Sequence, residues 1–314
     1  MGGSGRVVST SAVSIRRALE ARGVSLTLSL SDDADAGLRA MRGADVALVC
    51  GGASSTEMSD RPHLRLDQHD LLTRIVARAT VPVVVAAIAP GSLVTSPWAG
   101  GASAVLAMFL AGQETGNAWA DVLLGDVNPS GKLPVTFPTR EEDTVPPCGA
   151  SHCDYAEGLH SGWRGLIGQA VSFAFGHGLS YTEFEYAWDV PPQYEPHSGT
   201  VQLAVRLRNG GVVAGAEVVQ LYVRFPRSAA EPELLLRDFA KTPLLAPGET
   251  VSLPFRLSTA QHLSVWRPSR TGAASASVDA TDGGWQPVHG DFELSVGASS
   301  RDVRLRQSIA VGSA

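Results

Sequence analysis

Residues 44–72, ADVALVCGGASSTEMSDRPHLRLDQHDLL, combine a short apolar run, a loop of small and charged residues and the start of a helical pattern. The run at residues 44–50 predicts a buried parallel strand, and the spacing of apolar residues from Leu71 onward predicts a helix. Open α/β sheets bind ligands beyond the carboxyl ends of their strands, so Glu57 is the first candidate for chemistry. A loop glutamate is more often a solvated surface residue, and its spacing alone does not decide between these roles.

Strand and helix patterns alternate on both sides of this stretch. Apolar or alternating runs predict strands at residues 24–30, 44–50, 81–87, 102–108 and 133–137. Apolar residues at helical spacing predict helices at residues 15–22, 32–42, 68–79 and 116–124. This alternation predicts an α/β sandwich with a mostly parallel sheet. Such a sheet usually opens with a strand, whereas this chain opens in a glycine-rich loop, so the first strand is expected to be missing.

The residues after Phe184 follow a different pattern, with apolar and polar residues alternating in short runs. These runs lie at residues 201–207, 219–225, 251–257, 292–296 and 303–305, between turns that contain Gly or Pro. Short alternating strands at regular spacing predict an antiparallel all-β sandwich. Between the two halves, residues 138–173 lose the periodicity and collect Pro, Gly and Cys, as expected of a linker.

Composition and charge exclude several classes of function. The formal net charge of −6 gives neither a basic surface for nucleic acid nor a polybasic membrane patch. The longest apolar stretch, Val81–Ala89, is too short to span a bilayer, and residues 1–15 have no apolar segment typical of a signal peptide. If this start is genuine, the chain is expected in the cytoplasm. No phosphate-binding glycine motif occurs, so no nucleotide or other cofactor is predicted.

The three cysteines leave two interpretations open. Cys50 ends a predicted strand and is expected to be an inert core thiol. Cys148 and Cys153 lie close together, with histidines nearby, which fits either a local disulfide in an oxidising compartment or a zinc site. No CxxC or HxxxH pair supports metal binding, so no metal site is predicted.

Four separated strings resemble those of a known family. They are AGQETGNAWADVLLGDVNPSGKLPVTFP at residues 111–138, FAFGHGLSYTEFEY at 173–186, NGGVVAGAEVVQLYV at 209–223 and GDFELSVGASSRDVRL at 290–305. Over nearly its whole length the chain resembles the C-terminal part of glycoside hydrolase family 3, the β-glucosidase and β-xylosidase family. The resemblance implies an α/β domain truncated at its start (residues 1–138), a linker and interdomain segment (139–183) and a fibronectin type III-like domain (184–314).

The resemblance also implies a role for Glu57. In this family the nucleophile is an Asp on a TIM barrel, and the general acid/base is a Glu on the α/β domain in a string like E-x-E-G-x-D-R. Alignment on Asp60-Arg61 places Glu57 at the acid/base position, although Met58 replaces the expected Gly. Asp60 is the candidate for a direct sugar contact, and the alternative is that Asp60 and Arg61 only fix the loop.

Further expectations concern substrate and partners. Trp98, in the string SPWAGG after a predicted strand, is the candidate for a sugar platform, although scattered tryptophans more often belong to the core. The sequence contains no barrel pattern, so we expect a truncated C-terminal portion or a split-gene product. It would be inactive alone and would act on a β-linked glucoside or xyloside only with a partner TIM-barrel chain. The alternative is a non-catalytic remnant or accessory module that binds carbohydrate or a partner barrel domain.

Overall fold

The computed structural model describes residues 4, 7–59, 61–148, 152–268 and 283–312. The chain divides into two compact units. The first comprises Met1–Val127, Val135–Cys153 and Gly168–Phe173, and the second comprises Asn128–Pro134, Asp154–Ile167 and Ala174–Ala314. The first unit is α/β and the second is almost entirely β, which confirms the predicted fold class. No helix in the described ranges is long and apolar enough to cross a membrane.

The first unit is built on a three-stranded parallel sheet with the order β1–β2–β3. These strands are β1 (Ala47–Gly52), β2 (Val83–Ile88) and β3 (Ala104–Met108). The helices described in this unit are α1 (Ile15–Ala21), α2 (Ala34–Ala40), α3 (His69–Arg78) and α4 (Thr115–Leu123). Side-chain oxygens cap the first two helices, from Ser14 for α1 and Asp33 for α2. The four predicted helices and these three strands are thus confirmed, with ends shifted by at most three residues.

Helices cover both faces of the sheet at β1. Leu48 packs against a buried cluster from α1 and α4 that contains Leu19 and Ala120. Leu72 of α3 lies beside Gly51, at a position of β1 that faces the side of the sheet opposite to Leu48. Because β1 is held between two helical layers, the loop that follows it starts from a fixed position.

Three predictions about this unit need correction. Residues 24–30 form no strand, because Val24 and Leu26 pack against the α1 cluster while their backbone makes no ladder with β1. The predicted strand at 133–137 reduces to β4 (Phe137–Pro138), which pairs with β5 (Val171–Phe173). Cys50 is exposed rather than buried, because it lies on the face of β1 opposite to Ala47 and Val49.

The second unit is a sandwich of two antiparallel sheets. One sheet has the order β10–β7–β6 and the other β14–β13–β8–β9. Their strands are β6 (Phe184–Glu195), β7 (Thr200–Asn209), β8 (Val218–Arg224), β9 (Leu235–Lys241), β10 (Thr250–Ser258), β13 (Gly290–Gly297) and β14 (Val303–Val311). Alternate apolar side chains of β7 and β8, such as Leu207 and Leu221, are fully buried between the sheets. A separate hairpin consists of β11 (Ser264–Pro268) and β12 (Gly283–Pro287).

One turn of the second unit accounts for its glycine. The backbone of Leu133 exchanges hydrogen bonds of 2.8 Å with Gly176 and His177. Gly176 has a φ of +80° and lies against the side chain of Gln220, so a larger residue there would be strained and would collide. The Gly-His-Gly string is therefore a structural turn.

Candidate active site

Glu57 lies at the exposed tip of a loop that follows the carboxyl end of β1. The tip is a tight turn in which the Ser59 backbone N–H donates to the Thr56 carbonyl at 3.3 Å. Met58, at the apex, has a φ of +65° and a fully exposed side chain. A non-glycine residue at positive φ is uncommon and is found most often at turns and functional sites. The loop therefore presents the Glu57 carboxylate away from the core of its own unit.

The base of the loop is closed by side chains at the start of α3. The Ser54 backbone N–H and hydroxyl donate to the Asp67 carboxylate at 3.1 and 2.6 Å. The Gly52 backbone N–H donates to the Gln68 side-chain oxygen at 2.9 Å, and its carbonyl accepts from the Asp67 N–H at 2.8 Å. These contacts join the end of β1 to the start of α3, so only the tip of the loop is held by few contacts.

The descending side of the loop is tied to the segment that follows β2. The Arg61 guanidinium donates to the Ser92 carbonyl at 3.1 Å. The backbone of Leu64 donates to the Glu141 carboxylate at 3.0 Å and accepts from the Val94 N–H at 2.9 Å. Burial lowers the pKa of Arg61, and the neighbouring Glu141 and Asp67 carboxylates oppose this shift. Arg61 therefore helps to fix the loop, as the alternative interpretation of the Asp-Arg pair expected.

Glu57 accepts two hydrogen bonds from a single residue. The backbone N–H and the hydroxyl of Ser4 donate to the same carboxylate oxygen at 2.6 and 2.8 Å. The backbone N–H, followed by the hydroxyl, holds the pKa of Glu57 below its usual value. The carboxylate is therefore ionised at neutral pH, in the form of a general base rather than a general acid.

No second carboxylate contributes to the electrostatics of Glu57 among the described residues. The pKa of Glu57 is lowered by the two hydrogen bonds from Ser4 and raised by desolvation, and no described Asp or Glu is among the causes. Two-carboxyl glycoside hydrolysis places its groups about 5–9 Å apart. The described part of this chain thus supplies one carboxylate at this site and not a pair.

The two candidate sugar contacts have different outcomes. Asp60 lies outside the described residues. Trp98 is 1% exposed, and its indole nitrogen is buried without an acceptor among the described residues. A stacking platform needs an open ring face, whereas the described structure buries Trp98 in the core of the first unit, so the platform role stays a prediction.

The cysteine pair forms a disulfide. Cys148 and Cys153 are bonded, with a Cα–Cα separation of 6.0 Å, which answers the choice left open between a disulfide and zinc ligands. Within the described ranges, no group of three or more His, Cys, Asp or Glu side chains is arranged to hold a metal ion.

The sequence patterns did not identify the residues that hold the loop. Asp67 and Gln68 accept hydrogen bonds from backbone or hydroxyl groups, and Ser92 accepts one from Arg61 through its backbone carbonyl. Such contacts leave no periodic signal. The available clue was position, since Asp67 and Gln68 directly precede α3, where short polar side chains commonly bind free backbone groups.

Comparisons with known proteins identify the family of the chain. Residues 1–181 match the sequence profile of the glycosyl hydrolase family 3 C-terminal domain, and residues 217–300 match that of the fibronectin type III-like domain. Thermostable β-glucosidase B of Acetivibrio thermocellus is 34% identical over 287 residues, which cover 88% of this chain and 36% of that protein. A β-glucosidase of Rhizobium radiobacter is 35% identical, with coverage of 85% and 33%.

Solved structures show the same correspondence. The β-D-glucoside glucohydrolase of Trichoderma reesei superposes with a TM-score of 0.84 and 31% identity, covering 99% of this chain and 47% of that one. β-Glucosidase 3B of Thermotoga neapolitana, solved with glucose, gives a TM-score of 0.81 and 27% identity, with coverage of 99% and 48%. The chain thus spans between a third and a half of the length of these relatives. With a family profile matched over more than half of its residues, the chain belongs to glycoside hydrolase family 3.

Proposed function

We propose that these 314 residues are the C-terminal portion of a retaining β-glycosidase, in which Glu57 is the general acid/base. The nucleophile would lie on a TIM-barrel domain outside these residues. The observation that carries the proposal is the position of Glu57, which stands at an exposed loop tip beyond the carboxyl end of β1. Arg61, Asp67 and Gln68 hold that loop from below, so the carboxylate can reach a surface supplied by another domain.

The chemistry requires Glu57 to act twice. In the first step the nucleophilic carboxylate attacks the anomeric carbon, the glycosidic C–O bond breaks, and the leaving oxygen takes the proton of Glu57. In the second step water attacks the same carbon, Glu57 takes a proton from that water, and the bond to the nucleophile breaks. Glu57 ends the cycle protonated, as it began.

The two steps need different protonation states, and the present surroundings favour only one of them. With Ser4 donating two hydrogen bonds, the pKa of Glu57 is low, which suits the base of the second step. The first step needs a raised pKa, which burial against an apolar surface or a second carboxylate would produce. A docked barrel that carries the nucleophile would supply both, and it would have to displace Ser4.

The substrate class follows from the relatives. They are β-glucosidases by name, so a β-linked glucoside is the first choice and a xyloside the second. A partner TIM-barrel chain, or a barrel on the same longer polypeptide, would complete the site.

The test is reconstitution with a barrel. The chain would be mixed with the N-terminal part of Thermostable β-glucosidase B, the part that lies before its match to this chain, and assayed on aryl β-glucosides. We expect activity only in the mixture, and a loss of about 10²–10⁴-fold in kcat for Glu57→Gln. Glu142→Gln is the matched control, since Glu142 is an exposed carboxylate of the same unit. Full activity of the Glu57→Gln mixture would contradict the proposal.

The second candidate function is a non-catalytic module that binds carbohydrate or a barrel surface. The two hydrogen bonds that Glu57 accepts from Ser4 favour this reading, because they stabilise the carboxylate and would have to be lost before the group could act as an acid. Stable association with a barrel that restores no activity would support it.

A further inference from the structure

Two tryptophans of the second unit face each other on the outside of a hairpin. Trp266 of β11 is directly opposite Trp285 of β12 in the antiparallel register. Their rings are 5.9 Å apart between centroids and meet edge to face at 75°. They are 48% and 63% exposed, whereas the other four tryptophans of the chain are buried or half-buried. The two exposed tryptophans of the described residues therefore lie side by side.

The hairpin is anchored so that these rings cannot fold inward. Val265, next to Trp266 on the opposite face of β11, is 3% exposed and belongs to the core of the sandwich. The backbone of Val288 donates to the Leu263 carbonyl at 2.8 Å, closing the base of the hairpin. Since successive residues of a strand point to opposite faces, burial of Val265 fixes Trp266 on the outer face.

A glycine lets the Trp266 indole lie close to the strand. A Cβ added at Gly283 would come within 2.7–2.9 Å of two atoms of the Trp266 ring, and within 2.8 Å of the Arg267 carbonyl. Any side chain at this position would push the indole away from the hairpin. The glycine therefore lets the Trp266 ring pack against the backbone of β12, and the Trp285 ring lies edge to face with it.

The chemistry of this corner suits a neutral, hydroxylated ligand with flat apolar faces. On the same face, the half-buried Gly283 and the exposed Pro287 carry no charge, whereas Ser264 is buried and donates to the Ala260 carbonyl. A β-linked glucose unit presents axial C–H groups on both faces of its ring and hydroxyls at the rim, which match an indole face and an indole N–H.

The size of the pair also favours a sugar over a protein. At their observed exposures, two tryptophans offer roughly 170–280 Å² of surface, given about 150–250 Å² for a whole side chain. A stable protein interface needs about 800 Å² on each partner. The exposed rings alone cover the area of one or two sugar rings and fall well short of a protein footprint.

We infer that Trp266 and Trp285 form a binding site for β-linked glucan chains, separate from the Glu57 loop. The choice of ligand rests on the proposed glycosidase function, which supplies the ligand class. The site would hold a polymeric or oligomeric β-glucan without taking part in bond cleavage.

The test is affinity electrophoresis of the whole chain in native gels that contain barley β-glucan or hydroxyethylcellulose. We expect retardation of the wild-type chain, dissociation constants raised at least fivefold by Trp266→Ala or Trp285→Ala, and no retardation of the double variant. Phe239→Ala is the matched control, because Phe239 is a lone aromatic residue of the same unit with 63% exposure. Wild-type migration unchanged by every β-glucan, or equal retardation of the double variant, would overturn the inference.

A second measurement covers the case in which the alanine variants fold poorly. On the wild-type chain, cellohexaose should quench tryptophan fluorescence and protect both indoles from oxidation by N-bromosuccinimide. Protection by the relative's barrel but not by cellohexaose would make the pair a protein contact and would refute the site. Glu57→Gln should bind β-glucan as the wild type does. If the wild-type chain is retarded by β-glucan but shows no activity with the barrel, only the proposed function is contradicted. If it shows activity with the barrel but is not retarded, only the tryptophan site is contradicted.

Discussion

The ion pair between Lys132 and Glu217 gives the sharpest stability prediction for the second unit. Lys132 Nζ lies 2.8 Å from a Glu217 carboxylate oxygen, and the two side chains are only 11% and 8% exposed. Lys132 also donates to the Gly178 carbonyl at 3.1 Å. Lys132→Met would leave a buried carboxylate without its cation, a change that typically costs about 3–5 kcal/mol. Glu217 keeps the Val218 N–H at 2.6 Å, so we expect a value near the lower end, about 3 kcal/mol.

The assay is urea unfolding followed by tryptophan fluorescence, with thermal unfolding as a second probe. A loss of about 3 kcal/mol corresponds to a fall in Tm of about 6–12 °C for a unit of this size. Arg208→Met is the reference, because it breaks an exposed pair with Glu185 (48% and 62% exposed) and should cost less than about 1 kcal/mol. The double variant Lys132→Met/Glu217→Gln should recover part of the loss. A cost for Lys132→Met no larger than that of Arg208→Met would refute the reasoning.

Three other predictions concern the first unit. Gly116→Val should lower the free energy of unfolding by more than about 2 kcal/mol, because a Cβ there would lie 2.4–2.5 Å from backbone atoms, whereas Gly112→Ala meets nothing within 4 Å and should be near neutral. Reduction of the Cys148–Cys153 disulfide should cost about 2 kcal/mol, given its short loop, and urea unfolding with and without reductant measures this; no change would contradict it. The pKa of Glu57, measured by NMR titration, should lie below its usual value and return toward it in Ser4→Pro, which removes both donors. Because the folded-state pKa is the lower one, the stabilisation by this contact should be present above about pH 4 and lost on further acidification; an unshifted pKa would contradict it.

The parallel sheet was predictable because its strands are continuous apolar runs. The run that gives β2, Val83–Ile88, is buried almost throughout, so its hydrophobicity is visible without a partner. Residues 24–30 alternate between apolar and polar residues, which is also typical of a strand. A strand forms only when a neighbouring backbone completes the hydrogen-bond ladder, and the periodicity of one segment does not identify that neighbour. Whether such a segment forms a strand depends on backbone pairing rather than on its own side chains.

In the second unit, some strands form where the sequence pattern does not predict them. β6, Phe184–Glu195, contains two consecutive prolines and pairs with β7 through irregular register, so it lacks the clean alternation that identified β7 and β8. β11 and β12 were missed because they are short and separated by a stretch poor in bulky residues. Their pairing, and with it the juxtaposition of Trp266 and Trp285, depends on a contact between distant residues.

The candidate site was predictable only in part. Glu57 emerged from its place after an apolar run together with the resemblance in the following Asp-Arg pair. Its exposure and its bonds to Ser4 depend on the fold, since the two residues are 53 positions apart. For Trp98 the sequence offered a string after a strand, but burial is decided by the packing of several segments, which a local string does not encode.

The dependence of Glu57→Gln on the leaving group tests the acid/base role most directly. In the reconstituted enzyme, a poor leaving group such as an alkoxide needs a proton in the first step, whereas a good one such as p-nitrophenolate does not. We predict that Glu57→Gln slows cleavage of methyl β-glucoside at least about tenfold more than that of p-nitrophenyl β-glucoside, measured as kcat/KM. Equal losses on both substrates would show that Glu57 does not deliver the proton and would contradict the account.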